Sequence, residues 1–446
     1  MNTPDIFRIG AGSGFAGDRY EPAEILARHG NLHALVFECL AERTIALAQQ
    51  ERHLKAGEGY DRRLLRRLRS TLPLATGMRI LTNAGAANPV AAGLAVRSLA
   101  KELNLPSLRV AAVSGDDVLS SLNFSDSQIL GTEETLADIG DRIISANAYL
   151  GADAIMGALT AEADVVITGR VGDAALFLAP LIHHFGWNKA NLELMAKGTL
   201  VGHLLECAGQ LTGGYFADGR TKEVEGLASL GFPLAEVSPT GAAEYSKIDG
   251  TGGLIDRRTV LEQLLYEIDS PDAYITPDVI VDLSGVNITE RGPNRVHVDG
   301  ARAAGRPDQL KVSVGVRDGY LSVGEIIYSG PGALIRAELA ARILTERWQE
   351  VHGYSPARLR ADYVGHNSTR SWWTPTDCEP PEVRLRMSAT SLDQQQAVVL
   401  AEEVEALYTN GPAGGGGVTT SVKQTIGVVS TMIPRESVSP TVEVFE

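Results

Sequence analysis

Along the first half of the chain, short wholly apolar runs alternate with segments whose apolar residues recur at helical spacing. Ile6–Ile9 precedes Pro22–Arg28, Ala34–Phe37 precedes Leu40–Arg52, and Met78–Leu81 precedes Pro89–Leu103. Leu108–Val113 then leads to a helix around Glu133–Tyr149, and Val165–Ile167 leads to another helix. Runs this short, apolar on both sides and separated by helices, predict buried parallel strands.

After about residue 218 the texture changes to denser Gly and Pro, with strand-like alternation at Val279–Leu283, Arg295–Val298, Leu310–Val316 and Leu321–Ile327. A helix over Ala333–Val351 closes this region. Beyond it the pattern predicts strands at Leu359–Val364 and Val383–Ser388, a helix over Leu392–Tyr408, the Gly-rich Gly411–Gly417, and strands near Thr425–Met432 and Thr441–Phe445. The expectation is an α/β fold: a mostly parallel, Rossmann-like sheet core over 1–352, with a smaller α+β C-terminal domain over 353–446.

Composition narrows the classes of function. The 446 residues carry a net charge of −15, from 55 acids against 40 bases, and such a field repels polyphosphate, so no nucleic-acid partner is expected. A small anionic substrate remains compatible, because a pocket needs only two or three local cations; Arg19, Arg170 and Lys247 are the candidates. Three cysteines, Cys39, Cys207 and Cys378, form neither a C-x-x-C pair nor an even framework, which fits a reducing compartment. The best apolar stretch, Leu150–Gly169, is interrupted by Asp153, Glu162 and Asp164, and Met1–Gly10 carries Asp5 and Arg8. The expectation is therefore a cytoplasmic protein with no membrane partner.

The first strand feeds the loop Gly10-Ala11-Gly12-Ser13-Gly14-Phe15-Ala16-Gly17-Asp18-Arg19, which contains G-x-G-x-x-G, and Glu38 ends the second strand. That is the pattern of a dinucleotide fingerprint. In such a fingerprint, however, the helix begins inside the glycines, whereas here Asp18, Arg19, Tyr20 and Glu21 intervene before Pro22 marks a helical first turn. An NAD loop, a plain tight turn and a different ligand-lining loop all stay open.

The other strand ends carry further candidates. Thr82–Pro89 includes Asn83, with Asn88 and Pro89 explained as N-cap and first helical residue. Ser114-Gly115-Asp116-Asp117 offers paired carboxylates that suit Mg²⁺, a general base or simply a cap. Arg170 beyond the fifth strand suits a carboxylate or phosphate, or else an ion pair with Asp173. On a following helix His203 and Glu206 share a face at i, i+3, as an acid/base pair or as metal ligands lacking a third partner, and Cys207 reads as core. Tyr215 lies in the glycine-rich stretch that follows. Lys247 and Thr251 belong to a loop of free amides suited to an anion. No G-x-S-x-G, Walker or kinase pattern occurs.

Together these segments resemble the acyclic terpene utilization (AtuA) family. The resemblance rests on the loop Gly10–Arg19, Leu40–Thr44, Thr82–Pro89, Gly115–Asp117, Thr168–Asp173, His203–Asp218, Lys247–Gly253, Thr276–Val279, Tyr328–Gly332 and the glycine run at 411. It implies a catabolic setting beside acyl-CoA and acid-degrading enzymes. It carries over no catalytic residue, and it implies that a small separately encoded subunit can accompany the chain.

The expected function is an enzyme acting on a small carboxylate or its CoA thioester by proton transfer next to the carbonyl, as in hydratase, dehydratase or lyase chemistry. Arg170 and Lys247 would bind the anion, with Arg19, Asp173, Tyr215 and Thr251 as further substrate-binding residues. Asn83 and the amides of Gly12, Ser13 and Gly14 would stabilise an enolate, and His203, Glu206 or Asp116 would move the proton. An NAD- or flavin-dependent oxidoreductase and a non-catalytic ligand-binding subunit are the alternatives; cofactor and metal are not specified. A free edge at Thr425–Met432 and Thr441–Phe445 leads us to expect a homo-oligomer.

Overall fold

A computed structural model describes residues 5–369 and 379–446. Cys378 lies outside the described residues.

In chain order the larger unit contains β1 (Phe7–Ser13), α1 (Glu21–His29), β2 (Ala34–Phe37), α2 (Glu42–Leu54), α3 (Leu64–Thr71), β3 (Arg79–Thr82), α4 (Pro89–Glu102), β4 (Val110–Ser114), α5 (Leu136–Ile139), β5 (Ile143–Ala148), α6 (Met156–Thr160), β6 (Val165–Thr168), α7 (Ala175–Phe185) and α8 (Leu192–Leu205). There follow β7 (Pro233–Val237), β8 (Ala243–Lys247), α9 (Arg257–Leu264), β9 (Tyr274–Ile275), β10 (Ile280–Asp282), β11 (Asn287–Gly292), β12 (Arg295–Asp299), β13 (Arg302–Gly305) and the start of β14 (Gln309–Ser329). The remaining elements are α10 (Ala333–Glu350), β15 (Leu359–Val364), β16 (Glu382–Ser391), α11 (Gln394–Asn410), β17 (Gly416–Pro434) and β18 (Thr441–Phe445).

The protein is mixed α/β. Ten strands form one sheet in the order β11-β12-β8-β7-β1-β2-β3-β6-β4-β18. Its centre, β1-β2-β3-β6-β4, is parallel, and these are the strands foreshadowed by the buried apolar runs. Every residue of β2 and β6 is buried, as a strand covered on both faces requires. The sheet as a whole is not mostly parallel, since β7, β8, β12 and β11 extend one side antiparallel and β18 closes the other antiparallel to β4. Helix α4 starts as its sequence requires: Asn88 Oδ1 accepts the Ala91 amide and Pro89 is the first helical residue.

Two expectations fail locally. The helix expected around Glu133–Tyr149 is a four-residue turn, α5, followed by β5, which pairs with β14. The strands expected at Leu310–Val316 and Leu321–Ile327 are one continuous β14, because Gly319 adopts φ +87° without interrupting the strand.

Compact units part at 315/316 and 427/428 rather than at 352/353: one comprises 1–315 and 428–446, the other 316–427. Pairing decides this. In the smaller unit, the sheet order β15-β16-β14-β17 carries α10 and α11, with Trp348, Leu344, Leu385, Met387, Leu400 and Val404 in one core. β18, expected in a small C-terminal sheet, lies instead on β4 of the large one, and the Phe445 ring fills the place a Cβ on Gly93 would take.

Candidate functional site

A cavity of about 1250 Å³ opens at the carboxyl ends of β1, β2 and β6, and all of its lining residues belong to the larger unit. Parallel α/β sheets present their ligand crevices at these ends, where loops leave the strands. Gly14, Arg19, Arg170, Asp173, Glu206 and Tyr215 among the sequence candidates reach its wall.

The first loop is held by its own side chains. The Gly14 amide donates to Asp18 Oδ2 at 2.9 Å and the Arg19 amide to Asp18 Oδ1 at 3.0 Å, so a carboxylate occupies the place a dinucleotide phosphate would need. Arg19 turns outward, donating to the carbonyls of Leu227 and Ala228. Gly12 lies against the Phe37 ring, and the Ser13 hydroxyl donates to the Glu38 carbonyl at 2.7 Å; neither residue lines the cavity. Tyr215, at φ 64°, is 85% exposed at the cavity mouth.

Glu38 and Cys39, immediately after β2, form the inner wall. Asn83 stands behind them: its Oδ1 accepts the Cys39 amide at 2.7 Å and its Nδ2 donates to Glu38 Oε1 at 2.9 Å. Both of its functional atoms are thus spent on positioning, and the expected role for Asn83 at an enolate gives way to holding Glu38. The Leu40 amide also donates to Glu38 Oε1, at 2.8 Å. Burial, and then the neighbouring Asp173 carboxylate, push the Glu38 carboxyl up to about 8 against the pull of Arg170. Burial likewise pushes the Cys39 thiol up to about 12, which removes it as a nucleophile at neutral pH.

Arg170 is fully buried at the cavity wall. Its Nε and Nη2 donate to the Val171 carbonyl, its Nη1 to the Leu40 carbonyl, and its Nη2 also pairs with Asp173. Its guanidinium lies 4.5 Å from the Tyr149 ring centroid. Tyr149 in turn donates its hydroxyl to Glu42 at 2.7 Å, and Lys311 donates to the same carboxylate oxygen. Asp116 lies beneath this group and off the cavity wall: its Oδ2 accepts the Arg170 amide and Asn147 Nδ2, each at 2.9 Å. It braces the loop after β6, and its bonds to the protein leave no role as a base on a cavity ligand.

His203 and Glu206 do form a pair, as their i, i+3 spacing predicts. His203 Nε2 lies 3.0 Å from the Leu264 carbonyl, which can only accept, so Nε2 carries a hydrogen. The other ring nitrogen, Nδ1, lies 3.1 Å from Glu206 Oε1, and this contact needs one proton between the two atoms. His203 is buried behind the wall and Glu206 is in it, with an Oε2 that meets no donor among the described residues. Burial raises the Glu206 carboxyl, opposed by His203. In His203 burial acts downward and the Glu206 bond and charge outweigh it, so its pKa is raised. Cys207 is at the wall with its thiol pushed far up by burial.

Lys247 and Thr251 do not reach the cavity. Lys247 Nζ donates to the Thr251 carbonyl at 2.6 Å and the Thr251 hydroxyl to the Ile248 carbonyl, so this loop is tied to itself and not open to an anion. Sequence reasoning missed Arg43, Tyr149, Lys311 and Tyr274, which line the cavity from separate segments, and it noted Glu38 only as the acid ending the second strand in a dinucleotide-type pattern. Arg43, in the first turn of α2, makes no hydrogen bond or ion pair among the described residues. That turn has no side-chain cap, and it also carries Glu42, whose carboxylate is taken up by Tyr149 and Lys311. Among the described residues no group of three or more His, Cys, Asp or Glu side chains is placed to hold a metal ion.

Fold and site thus define a mixed α/β protein with a ligand-sized cavity at the carboxyl ends of its central parallel strands. The chain belongs to the acyclic terpene utilisation family: the model for family protein AtuA matches residues 7–444. No curated protein sequence and no solved structure matches it.

Proposed function

We propose that this protein is an enzyme that moves a proton next to the carbonyl group of a small carboxylate or its CoA thioester, the first step of hydratase, dehydratase or lyase chemistry. The observation that carries the reading is Glu206: a buried carboxylate oxygen in the cavity wall with no hydrogen-bond partner among the described residues, its other oxygen lying 3.1 Å from His203 Nδ1. Oε2 is the base. It takes the proton from the carbon beside the carbonyl, the C–H pair becomes the enolate, and Glu206 becomes the acid that returns the proton. His203 is a positioning residue that keeps Oε1 occupied. Arg43 supplies a positive charge for a phosphate or carboxylate elsewhere on the ligand.

The test is exchange of the C2 protons of butanoyl-CoA in D₂O, followed by proton NMR. The native protein is expected to catalyse exchange, and Glu206→Gln to slow it by roughly 100-fold or more, the usual weight of a positioned base. No exchange above the buffer rate across a series of acyl chain lengths would overturn the reading.

A further inference from the structure

The second carboxyl in the cavity wall differs from Glu206 in how its oxygens are used. Glu38 is 7% exposed, and among the described residues no Lys, Arg or His lies within ion-pair distance of it. Arg170, the nearest cation, is committed to Asp173. The groups that face Glu38 are therefore the Arg170–Asp173 pair beyond the end of β6, Cys39 beside it on the same turn, and Cys207 after α8. Both thiols are held protonated by burial, and Asp173 opposes a second negative charge.

The bonding is one-sided as well. Oε1 accepts two N–H groups, from Leu40 at 2.8 Å and from Asn83 at 2.9 Å. Two N–H donors satisfy Oε1 in either protonation state and draw the carboxyl toward the charged form, which burial and Asp173 oppose; with Oε1 so occupied, the hydrogen of a neutral Glu38 resides on Oε2. No protein acceptor or donor reaches Oε2 among the described residues, and Glu38 is part of the cavity wall. The Asn83 amide, locked at its other end by the Cys39 amide, fixes this orientation.

We infer that Glu38 is a neutral carboxylic acid whose Oε2–H donates a hydrogen bond to an uncharged carbonyl oxygen of the ligand. The inference rests on the reading above and narrows it: the reacting group is a thioester, and a free carboxylate is rejected. A thioester oxygen accepts this hydrogen bond, and as Glu206 removes the neighbouring proton the same bond strengthens onto the enolate oxygen, with Glu38 retaining its hydrogen. A free carboxylate would bring a further negative charge into a space already bounded by Asp173 and Glu206. The use of a buried acid kept neutral to donate a hydrogen bond is known chemistry for enolate-forming sites.

Two measurements on the full chain test this. Infrared difference spectra of native protein against Glu38→Gln should show, at pH 7, the C=O band of a protonated carboxylic acid that disappears in the variant and titrates away around pH 8. Absence of the band at pH 7 overturns the proposal, whatever the exchange experiment on Glu206 shows. Calorimetric titration with butanoyl-CoA, butanoate and CoA then reads the ligand class. Butanoyl-CoA is expected to bind at least 10-fold more tightly than CoA, and butanoate to bind weakly or not at all. Glu38→Gln, which keeps a neutral donor in the same place, should bind butanoyl-CoA within about 3-fold of native, and Glu38→Ala should erase the advantage over CoA. Butanoate binding equal to or better than butanoyl-CoA, or an advantage that survives Glu38→Ala, overturns the thioester assignment. Loss of C2 exchange with the band intact would count against the Glu206 reading alone.

Discussion

A Cβ on Gly14 would stand 2.5 Å from the carbonyl carbon of Cys207, so the loop after β1 and the turn after α8 meet backbone to backbone at the cavity. Gly14 has an ordinary φ; it is close approach and not a left-handed conformation that requires glycine here. The contact links two walls that are almost two hundred residues apart in sequence and sets Glu206, one residue before Cys207, relative to the first loop.

Gly14→Ala should therefore lower stability by about 1–3 kcal/mol, as over-packing of a close contact does, and should weaken ligand binding by more than that loss explains. Urea unfolding of the variant beside a binding titration checks both. A stability and an affinity equal to the parent would mean that the two segments move apart freely.

The sequence left Arg170 open as an anion anchor or as the ion-pair partner of Asp173. Its contacts favour the second, because its guanidinium closes on the Val171 and Leu40 carbonyls and on Asp173 from a fully buried position. Arg170→Ala leaves two carbonyls without donors and Asp173 without its cation. We expect a loss of about 3 kcal/mol, the lower end for breaking a buried pair, since Asp173 keeps access to the cavity. A variant as stable as the parent in urea, with only ligand binding reduced, would restore the anchor role.

The parallel centre of the sheet was legible because strands buried on both faces leave wholly apolar runs, as Leu35, Val36, Val166 and Ile167 do. The antiparallel flank was not. Ala243–Lys247 alternates buried and half-buried residues and ends in a glycine-rich turn, so its lysine read as a loop anion site when it is the end of a strand. At the cavity, the helical pair His203 and Glu206 was readable from a fixed i, i+3 spacing. Arg43, Tyr149 and Lys311 were not, because nothing local in their segments records that Lys311 and Tyr149 share the Glu42 carboxylate. Asp116 carried a functional-looking signal for a structural reason, its oxygen being needed by the Arg170 amide.

That structural role gives Asp116 a measurable titration. Burial pushes its carboxyl up to about 6, against an unfolded value near 4. Between these two values the folded protein holds a proton that the unfolded chain has released, so stability falls as pH rises from about 4 to about 6 and then levels. Asp116→Asn can keep both hydrogen bonds through its Oδ1 while removing the charge. Melting temperatures across this range should show the variant gaining on the parent as pH increases, and an unchanging difference would place the Asp116 carboxyl in the ordinary range.

The proton between His203 and Glu206 is the most direct expression of the proposed chemistry, and it can be located without any ligand. Leu264 fixes a hydrogen on Nε2, so the ring state depends only on Nδ1. Burial alone would keep this ring neutral; the Glu206 carboxylate, bonded at 3.1 Å, reverses that and raises the histidine above its usual value. Nitrogen-15 spectra at pH 7 should accordingly show His203 protonated on both ring nitrogens in the native protein. Glu206→Gln removes the charge but can still hydrogen-bond to the ring, and burial then acts unopposed. In that variant only Nε2 should carry hydrogen, down to a pH below the ordinary histidine range. A native His203 protonated on Nε2 alone at pH 7 would put the shared hydrogen on Glu206 and make the carboxylic acid, not the carboxylate, the resting form of the group in the cavity.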